Sequence, residues 1–284
     1  MKYFKYHGLG NDYIVLKQSD LTAPLTPTQI VRICHRNYGV GGDGLLLLEG
    51  EANGRFIVHV FNPDGSEAEN SGNGMRIMSR YLYDVGLVKR EPFDLLVKGE
   101  RKVTAQIFDP GEAIEVEMGK ASFLSSEIPV VGPLREVLNE KIELLGETLT
   151  YSCVNVGNPH CVVFGRTTLK EDALTFGPLL EVHERFPRKS NVQFAHVIDR
   201  RNIRLEIWER GAGYTLASGS SASAVSSIAR RLNYVDDIVT MHMAGGTLQM
   251  KIRSDFSINL RGPVTKVAEG EIDGAMFLWG QAIC

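Results

Sequence analysis

No part of this 284-residue chain stays apolar for long. No run approaches the ~20 residues a membrane-spanning helix needs, and Met1-Lys2-Tyr3-Phe4 does not read as a signal peptide. The expectation is a cytoplasmic protein without a membrane partner. No block of Lys or Arg stands out, and the net charge is −3. Nucleic-acid binding normally leaves a basic patch, so no nucleic-acid partner is expected. The four cysteines include no CxxC pair. Cys34, Cys153 and Cys161 lie in apolar segments and read as small core residues rather than ligands. There is no HExxH or comparable metal spacing. No lysine is marked for pyridoxal phosphate, and the glycine turn Gly39–Gly44 is weak evidence for a nucleotide. Neither a metal nor a cofactor is expected.

What the chain does have is glycine (29) and short alternating runs, with 43% hydrophobic residues to build real cores. Phe56–Phe61 alternates and ends in the turn string Asn62-Pro63-Asp64-Gly65. Further strand candidates are Phe93–Val97, Val103–Phe108, Ile114–Met118, Ile203–Trp208, Ile238–Met243, Leu248–Ile252 and Ala275–Trp279. Helices are fewer. Thr26-Pro27-Thr28-Gln29 combines an N-cap, Pro at N1 and Gln at N3, ahead of Ile30, Ile33 and Cys34 at helical spacing. A second helix is expected after Asn73, with Met75, Met78, Leu82 and Val85 on one stripe. A third is expected after Ser220, with Ala224, Val225, Ile228 and Leu232 on its stripe. The stretch Gly119–Thr148, with Pro129 and Pro133, reads as a linker between two strand-rich halves.

The last two helices begin alike, at Ser71-Gly72-Asn73-Gly74 and Ser218-Gly219-Ser220-Ser221, about 147 positions apart. That suggests a duplicated unit. A first helical turn offers unpaired N–H groups and the positive end of the dipole, and so attracts a carboxylate. Glycine lets the backbone approach such a ligand closely. If two such ends gripped one carboxylate, the residue before each would point at the carbon that bears it. Inverting that carbon without a cofactor needs one group to remove its proton and another to return one from the opposite face. Thiols suit this, since a thiol pKa of about 8.5 falls further at a helix start. Both positions here are serine, and serine is equally a plain N-cap. The residues alone stop at a carboxylate site.

Longer strings carry the argument further. His7-Gly8-Leu9-Gly10-Asn11-Asp12, Phe61–Glu67, Gly72-Asn73-Gly74-Met75-Arg76, Gly157-Asn158-Pro159-His160 and Glu209-Arg210-Gly211-Ala212-Gly213 occur together and in order. In these the chain resembles the diaminopimelate epimerases, cofactor-independent enzymes of lysine and cell-wall precursor synthesis, nearly end to end. The resemblance implies an α+β fold of two pseudo-symmetric lobes, each a strand-rich sheet or barrel wrapped around a central helix. One lobe would be residues 1–118 with about 266–284, the other 119–265, with the active site in the cleft between them. It implies a small amino acid as partner, LL- or meso-diaminopimelate, interconverted by two-base proton transfer at the α-carbon. Ser71 and Ser218 would occupy the two catalytic positions, with His160 and Glu209 beside them setting their protonation. Gly72, Asn73, Gly219 and Ser220 would hold the α-carboxylate, and Asn11 and Glu209 the amino group. Asn62, Asn158, Asn191 and Arg210 would hold the distal end, Arg210 by a guanidinium fork. A homodimer is the default assembly.

The chain departs from that family where serine replaces both cysteines, which leaves the binding residues and removes both thiols. The expectation is an otherwise complete epimerase in an inactive Cys-to-Ser form. Tyr214 stands where the family string carries Glu, and Gly44 lacks the polar side chain of some relatives. A tyrosine there opens the alternative of a reshaped distal pocket that favours another side chain. Alternatives are a racemase of another amino acid such as histidine, and a non-catalytic binder of diamino acids. A phenazine-type isomerase is more remote, because no glutamate base is evident near His7–Asn11 or Asp43. Arg210 with three asparagines favours diaminopimelate, since histidine offers no distal carboxylate.

Overall fold

Alternation between buried apolar and exposed polar residues makes strands the commonest element of the chain, and the helices fall where that alternation stops. A computed structural model describes residues 1–68, 71–109, 111–167 and 169–278. By internal packing they divide into two units, Met1–Val116 with the residues from Gly262 onward, and Glu117–Arg261. Among the described residues no helix is long and apolar enough to cross a membrane.

In unit 1, β1 (Lys2–Gly8) and β2 (Asn11–Lys17) form an antiparallel hairpin. Its two-residue turn puts Leu9 at φ 57° and Gly10 at φ 87°, the left-handed pair that twists the turn with its strands. Next come α1 (Pro27–Cys34), then β3 (Gly44–Ala52) parallel to β2, and β4 (Arg55–Phe61) antiparallel to β3. The helix α2 (Gly72–Asp84) follows. Then β5 (Phe93–Val97) runs parallel to β4, followed antiparallel by β6 (Arg101–Asp109) and β7 (Ala113–Lys120).

Unit 2 repeats this order. β8 (Glu140–Leu144) pairs with β9 (Glu147–Asn155), which forms a hairpin with β10 (Pro159–Phe164). α3 (Leu169–Glu181) leads to β11 (Asn191–Asp199), parallel to β10, and to β12 (Asn202–Glu209), antiparallel to β11. After the short β13 (Gly213–Thr215) come α4 (Gly219–Arg231), β14 (Ile238–Met243) parallel to β12, and then β15 (Gly246–Ile252) and β16 (Ser257–Gly262). β17 (Thr265–Glu271) belongs to unit 1 and pairs with β1, as β8 pairs with β9 in unit 2.

The middle helix of each unit is central. In α2, residues 72–79 are all buried, and in α4 residues 221–229 are. Each packs on strands from both sides of its unit, and so has no solvent face over most of its length. The first helix of each unit lies on the opposite sheet face. α1 covers Ile14, Leu16, Leu45 and Leu47, and α3 covers Cys161, Val163, Val192 and Phe194.

Three expectations need correction. Ala275–Trp279 is not a strand: Gly274–Phe277 is a 3-10 turn capped by Asp273, whose Oδ1 accepts from Ala275 N at 2.8 Å, and Trp279 lies outside the described residues. The stretch 119–148 is not a linker, because Ile128, Val130, Val137 and Ile142 are buried in unit 2 and β8 runs through it. Proline there interrupts pairing without withdrawing the segment from the core. Val85 and Leu232 lie at the C-caps, with Val85 exposed, rather than on the buried stripes. Cys34, Cys153 and Cys161 are free and buried, and Cys284 is outside the described residues.

Candidate functional site

Register ties the two units together residue by residue. Tyr13 pairs with Gly44 across β2 and β3, as His160 pairs with Asn191 across β10 and β11. Leu45 pairs with Phe61, and Val192 with Trp208. Ser71 caps α2 and Ser218 caps α4. Each pair is 147 positions apart, so from Asn11 to the end of α2 the two halves match without a net insertion. Asn11 matches Asn158, Asn62 matches Glu209, and Asn73 matches Ser220.

Both helix starts have the same backbone. Ser71 sits at φ −146°, ψ 115°, and Ser218 at φ −148°, ψ 125°. Each side chain caps its helix: Ser71 Oγ accepts from Gly74 N at 3.0 Å, and Ser218 Oγ from Ser221 N at 3.4 Å. Helix geometry leaves the N–H groups of Gly72 and Asn73, and of Gly219 and Ser220, without intrahelical acceptors. Those N–H groups and the dipole behind them suit a carboxylate.

Around Ser71, unit 1 assembles a directed set of polar groups. The Tyr13 hydroxyl lies 3.1 Å from Ser71 Oγ. Gly44 is what admits that ring, since a Cβ there would meet Tyr13 Cε1 at 2.5 Å. Asn73 Nδ2 donates to Asn11 Oδ1 at 3.0 Å, and Asn11 Nδ2 donates to Asp43 Oδ2 at 3.1 Å. Arg36 holds Asp43 at 2.6 Å and Asp12 at 2.8 Å, and Lys5 reaches Asp12 at 2.9 Å. Burial alone would raise the Asp12 pKa, but Arg36 and Lys5 hold it down to about 2. Asn62 is exposed and closes its own turn, its Nδ2 donating to Ser66 Oγ at 3.0 Å. As it stands, Asn62 organises its own loop.

In unit 2 the face of β10 and β11 opposite α3 carries His160, Asn191 and Gln193. Burial pulls the His160 pKa down to about 3, Gln193 opposing and the Arg210 charge adding to the fall. His160 is therefore neutral. Its Nε2 lies 2.8 Å from Asn158 Oδ1, and its Nδ1 is buried on the face it shares with Gln193. Gln193 Nε2 donates to Ser221 Oγ at 3.0 Å and joins this face to the first turn of α4. Asn191 ties two loops, accepting from Arg210 N at 3.0 Å and donating to Pro159 O at 3.0 Å. Arg210 Nη1 donates to Arg188 O at 3.0 Å, and the exposed guanidinium keeps further donors for a carboxylate. Glu209 ends β12, half-buried, on the face opposite Trp208.

Tyr214 points the other way, which speaks against the alternative in which it reshapes a binding pocket. It pairs with Trp208 across β12 and β13 and packs on the core under α3. Its hydroxyl donates to Glu206 Oε2 at 2.6 Å; burial and that carboxylate raise its pKa to about 12. Tyr13, Gln193 and Arg76 escaped sequence reasoning. The first two lie on β2 and β11, which are not among the strand candidates, and Arg76 lies in a string whose assigned residues are Gly72 and Asn73. Among the described residues no group of His, Cys, Asp and Glu could hold a metal ion.

Solved structures that include a racemase, an epimerase and phenazine biosynthesis proteins share this fold. A phenazine biosynthesis protein from Enterococcus faecalis superposes with a TM-score of 0.69 at 12% identity, covering 96% of this chain and 98% of that one. A probable proline racemase from Agrobacterium radiobacter gives 0.67 at 13%, covering 96% and 93%. At such identities the likeness is one of fold. Sequence comparison is narrower. The model of the diaminopimelate epimerase family matches residues 3–124 and 152–267. "Diaminopimelate epimerase 2" of Nostoc sp. is 49% identical over 278 residues, 98% of this chain and 97% of that protein. The diaminopimelate epimerase of Moorella thermoacetica is 37% identical over 275 residues, 95% and 99% of the two chains. The chain belongs to the diaminopimelate epimerase family, and is an isomerase by class.

Proposed function

We propose that this chain is built to interconvert LL- and meso-diaminopimelate by two-base proton transfer at the α-carbon. We propose further that serine at 71 and 218 leaves it able to bind but not to turn over. The observation that carries the reading is the match of the two helix starts, at one topological position in each unit, in a family whose relatives are named for this reaction.

In this reading the free N–H groups of Gly72, Asn73, Gly219 and Ser220 take the α-carboxylate, and their dipoles stabilise the charge that builds up as the α-proton leaves. Asn11 Oδ1 keeps a second lone pair for the α-ammonium, and the Glu209 carboxylate is assigned as its other acceptor. Asn62, Asn158, Asn191 and Arg210 take the distal end, with Arg210 matched to its carboxylate. Position 71 removes or returns the proton on one face and position 218 on the other. His160, kept neutral by its burial, is suited to accept a proton in unit 2. A serine hydroxyl is a far weaker acid than a thiol, and both hydroxyls are already engaged as caps.

The test is α-proton exchange in D2O with LL-diaminopimelate, meso-diaminopimelate and L-histidine, on this chain and on its Ser71→Cys/Ser218→Cys variant. Exchange of diaminopimelate by the variant alone is the expected result. Exchange of histidine only would assign another substrate, and silence from both would leave a binder.

A further inference from the structure

The central helix of unit 1 carries a charge that its counterpart lacks. Arg76 is fully buried. Its Nη1 donates to Gly72 O at 3.3 Å and its Nη2 to Asn73 Oδ1 at 2.9 Å, while Nε has no partner. Among the described residues no carboxylate pairs with it. The guanidinium fits beside Gly8, where a Cβ would come within 3.0 Å of Nη2. At the matching place α4 has Ser223, whose hydroxyl donates to Gly219 O at 2.8 Å. An unneutralised buried charge is costly. A fold that keeps one beside the start of a helix has a use for it there.

Two consequences follow from the bonding. A guanidinium can only donate, so Asn73 must turn Oδ1 toward Arg76 and Nδ2 toward Asn11. Asn11 must then turn Oδ1 inward and Nδ2 toward Asp43. The relay therefore has one sense, set by a cation at one end and a carboxylate at the other. The second consequence is a field. A positive charge within the first turns of α2 adds to the helix dipole at Gly72 and Asn73, and burial keeps solvent from screening it. Burial lowers the Arg76 pKa to about 9, which leaves it charged at neutral pH.

We propose that Arg76 is a positioning residue: it fixes the sense of the Asn73–Asn11 relay and makes the start of α2 the more anion-stabilising of the two helix starts. An acid–base side chain at position 71 is then the more acidic of the pair. This rests on the proposed function for its meaning, but its test does not. The other titratable groups facing α2 from the strands packed on it are Tyr6, bonded to Asp84 at 3.0 Å, and Tyr13 at Ser71. From β3 and β6 the inward residues are apolar: Leu46, Leu48, Val103, Ala105 and Ile107. On α2 itself Arg80 and Asp84 pair with each other at the far end.

The experiment compares two single variants, Ser71→Cys and Ser218→Cys. The thiol pKa of each is read from the pH dependence of iodoacetamide alkylation, followed by peptide mass spectrometry. The expected result is a lower pKa at 71. Adding Arg76→Met raises it by about one unit, a tenfold loss of thiolate at pH 7, and leaves the thiol at 218 unmoved. Arg76→Lys retains most of the lower value, and Tyr13→Phe does not abolish the effect of Arg76→Met. Arg76→Gln, which keeps polarity without charge, gives the same reading should the methionine variant not fold. Equal thiol pKa values at 71 and 218, or a value at 71 indifferent to Arg76→Met and Arg76→Gln, would overturn the proposal. Failure of α-proton exchange would instead bear on the proposed reaction and leave this result standing.

Discussion

Unit 1 and unit 2 build the same helix start and bury different polar groups beside it, charged in one and neutral in the other. In unit 1 the start of α2 lies in a charged relay, with buried Arg76 at one end and Asp43, Asp12, Arg36 and Lys5 at the other. In unit 2 the buried polar groups of α4 and of the strand face beside it are neutral: serines 221, 223, 226 and 227 on the helix itself, Gln193, and a histidine whose burial keeps it uncharged. The middle helices differ to match. α2 fills its space with Met75, Ile77, Met78, Tyr81 and Leu82, while α4 uses Ala222, Ala224, Val225 and Ala229, and aromatic residues around α3 fill the rest of unit 2. Duplication preserved backbone and register, and the side chains diverged. That suits an inversion, in which two positions of one geometry must act in opposite senses on one carbon.

The contrast can be broken most sharply at Gly44. An added Cβ would lie 2.5 Å from the Tyr13 ring and 2.7 Å from Phe61 O, so Gly44→Ala should cost about 3 kcal/mol by overpacking. Asn191→Ala, at the matching position, loses two hydrogen bonds to backbone and should cost about 1–2 kcal/mol. Urea unfolding read separately for each unit by hydrogen exchange would show both. Equal costs would mean that the two positions do the same structural job.

Acid should separate the units next. The His160 pKa in the folded chain lies below its unfolded value of about 6.5. The unfolded chain therefore binds the proton first, and the stability present above pH 6.5 is lost as pH falls. By pH 4.5 unit 2 should have lost roughly 2 kcal/mol, and His160→Asn should flatten that loss. Asp12, held down to about 2, keeps its contribution until pH falls below about 4, so unit 1 should resist over the same range. Hydrogen exchange at pH 7 and 4.5 gives the comparison, and parallel losses in both units would contradict it.

The smallest effect is expected at Tyr214. Loss of its hydroxyl bond to Glu206 in Tyr214→Phe should cost about 1 kcal/mol. It should leave the substrate preference of the double-cysteine chain unchanged, because the ring faces the α3 core. A change in that preference would return Tyr214 to the binding site.

Much of this could be read from the sequence where one face of a strand is wet. Phe93–Val97 and Ile238–Met243 alternate and end where they were expected. The capping box at Thr26 and Gln29 is formed as its residues indicate. Alternation failed where both faces are covered: Leu45-Leu46-Leu47-Leu48 is buried throughout and carries no period. α3 was hidden by Gly177 and Pro178 inside it. That glycine has a packing reason, since a Cβ there would meet the Trp208 side chain at 2.7 Å. Arg76 was missed because a charge in a helix reads as an exposed face, and only a helix buried all round puts it inside. The two helix starts were legible because glycine and capping residues mark the backbone. Of the polar groups around them, Asn11, His160 and Asn191 came only with the family resemblance, and Tyr13 on β2 and Gln193 on β11 were not singled out, because strands distant in sequence bring them to the helix starts.

The most direct test of two proton-transfer positions, one per helix start, is deuterium exchange by each single-cysteine variant beside the double. Ser71→Cys alone should wash deuterium into one diaminopimelate epimer, Ser218→Cys alone into the other, and only the double variant should interconvert them. Exchange of both epimers by one single-cysteine variant, or interconversion without the second thiol, would contradict the account.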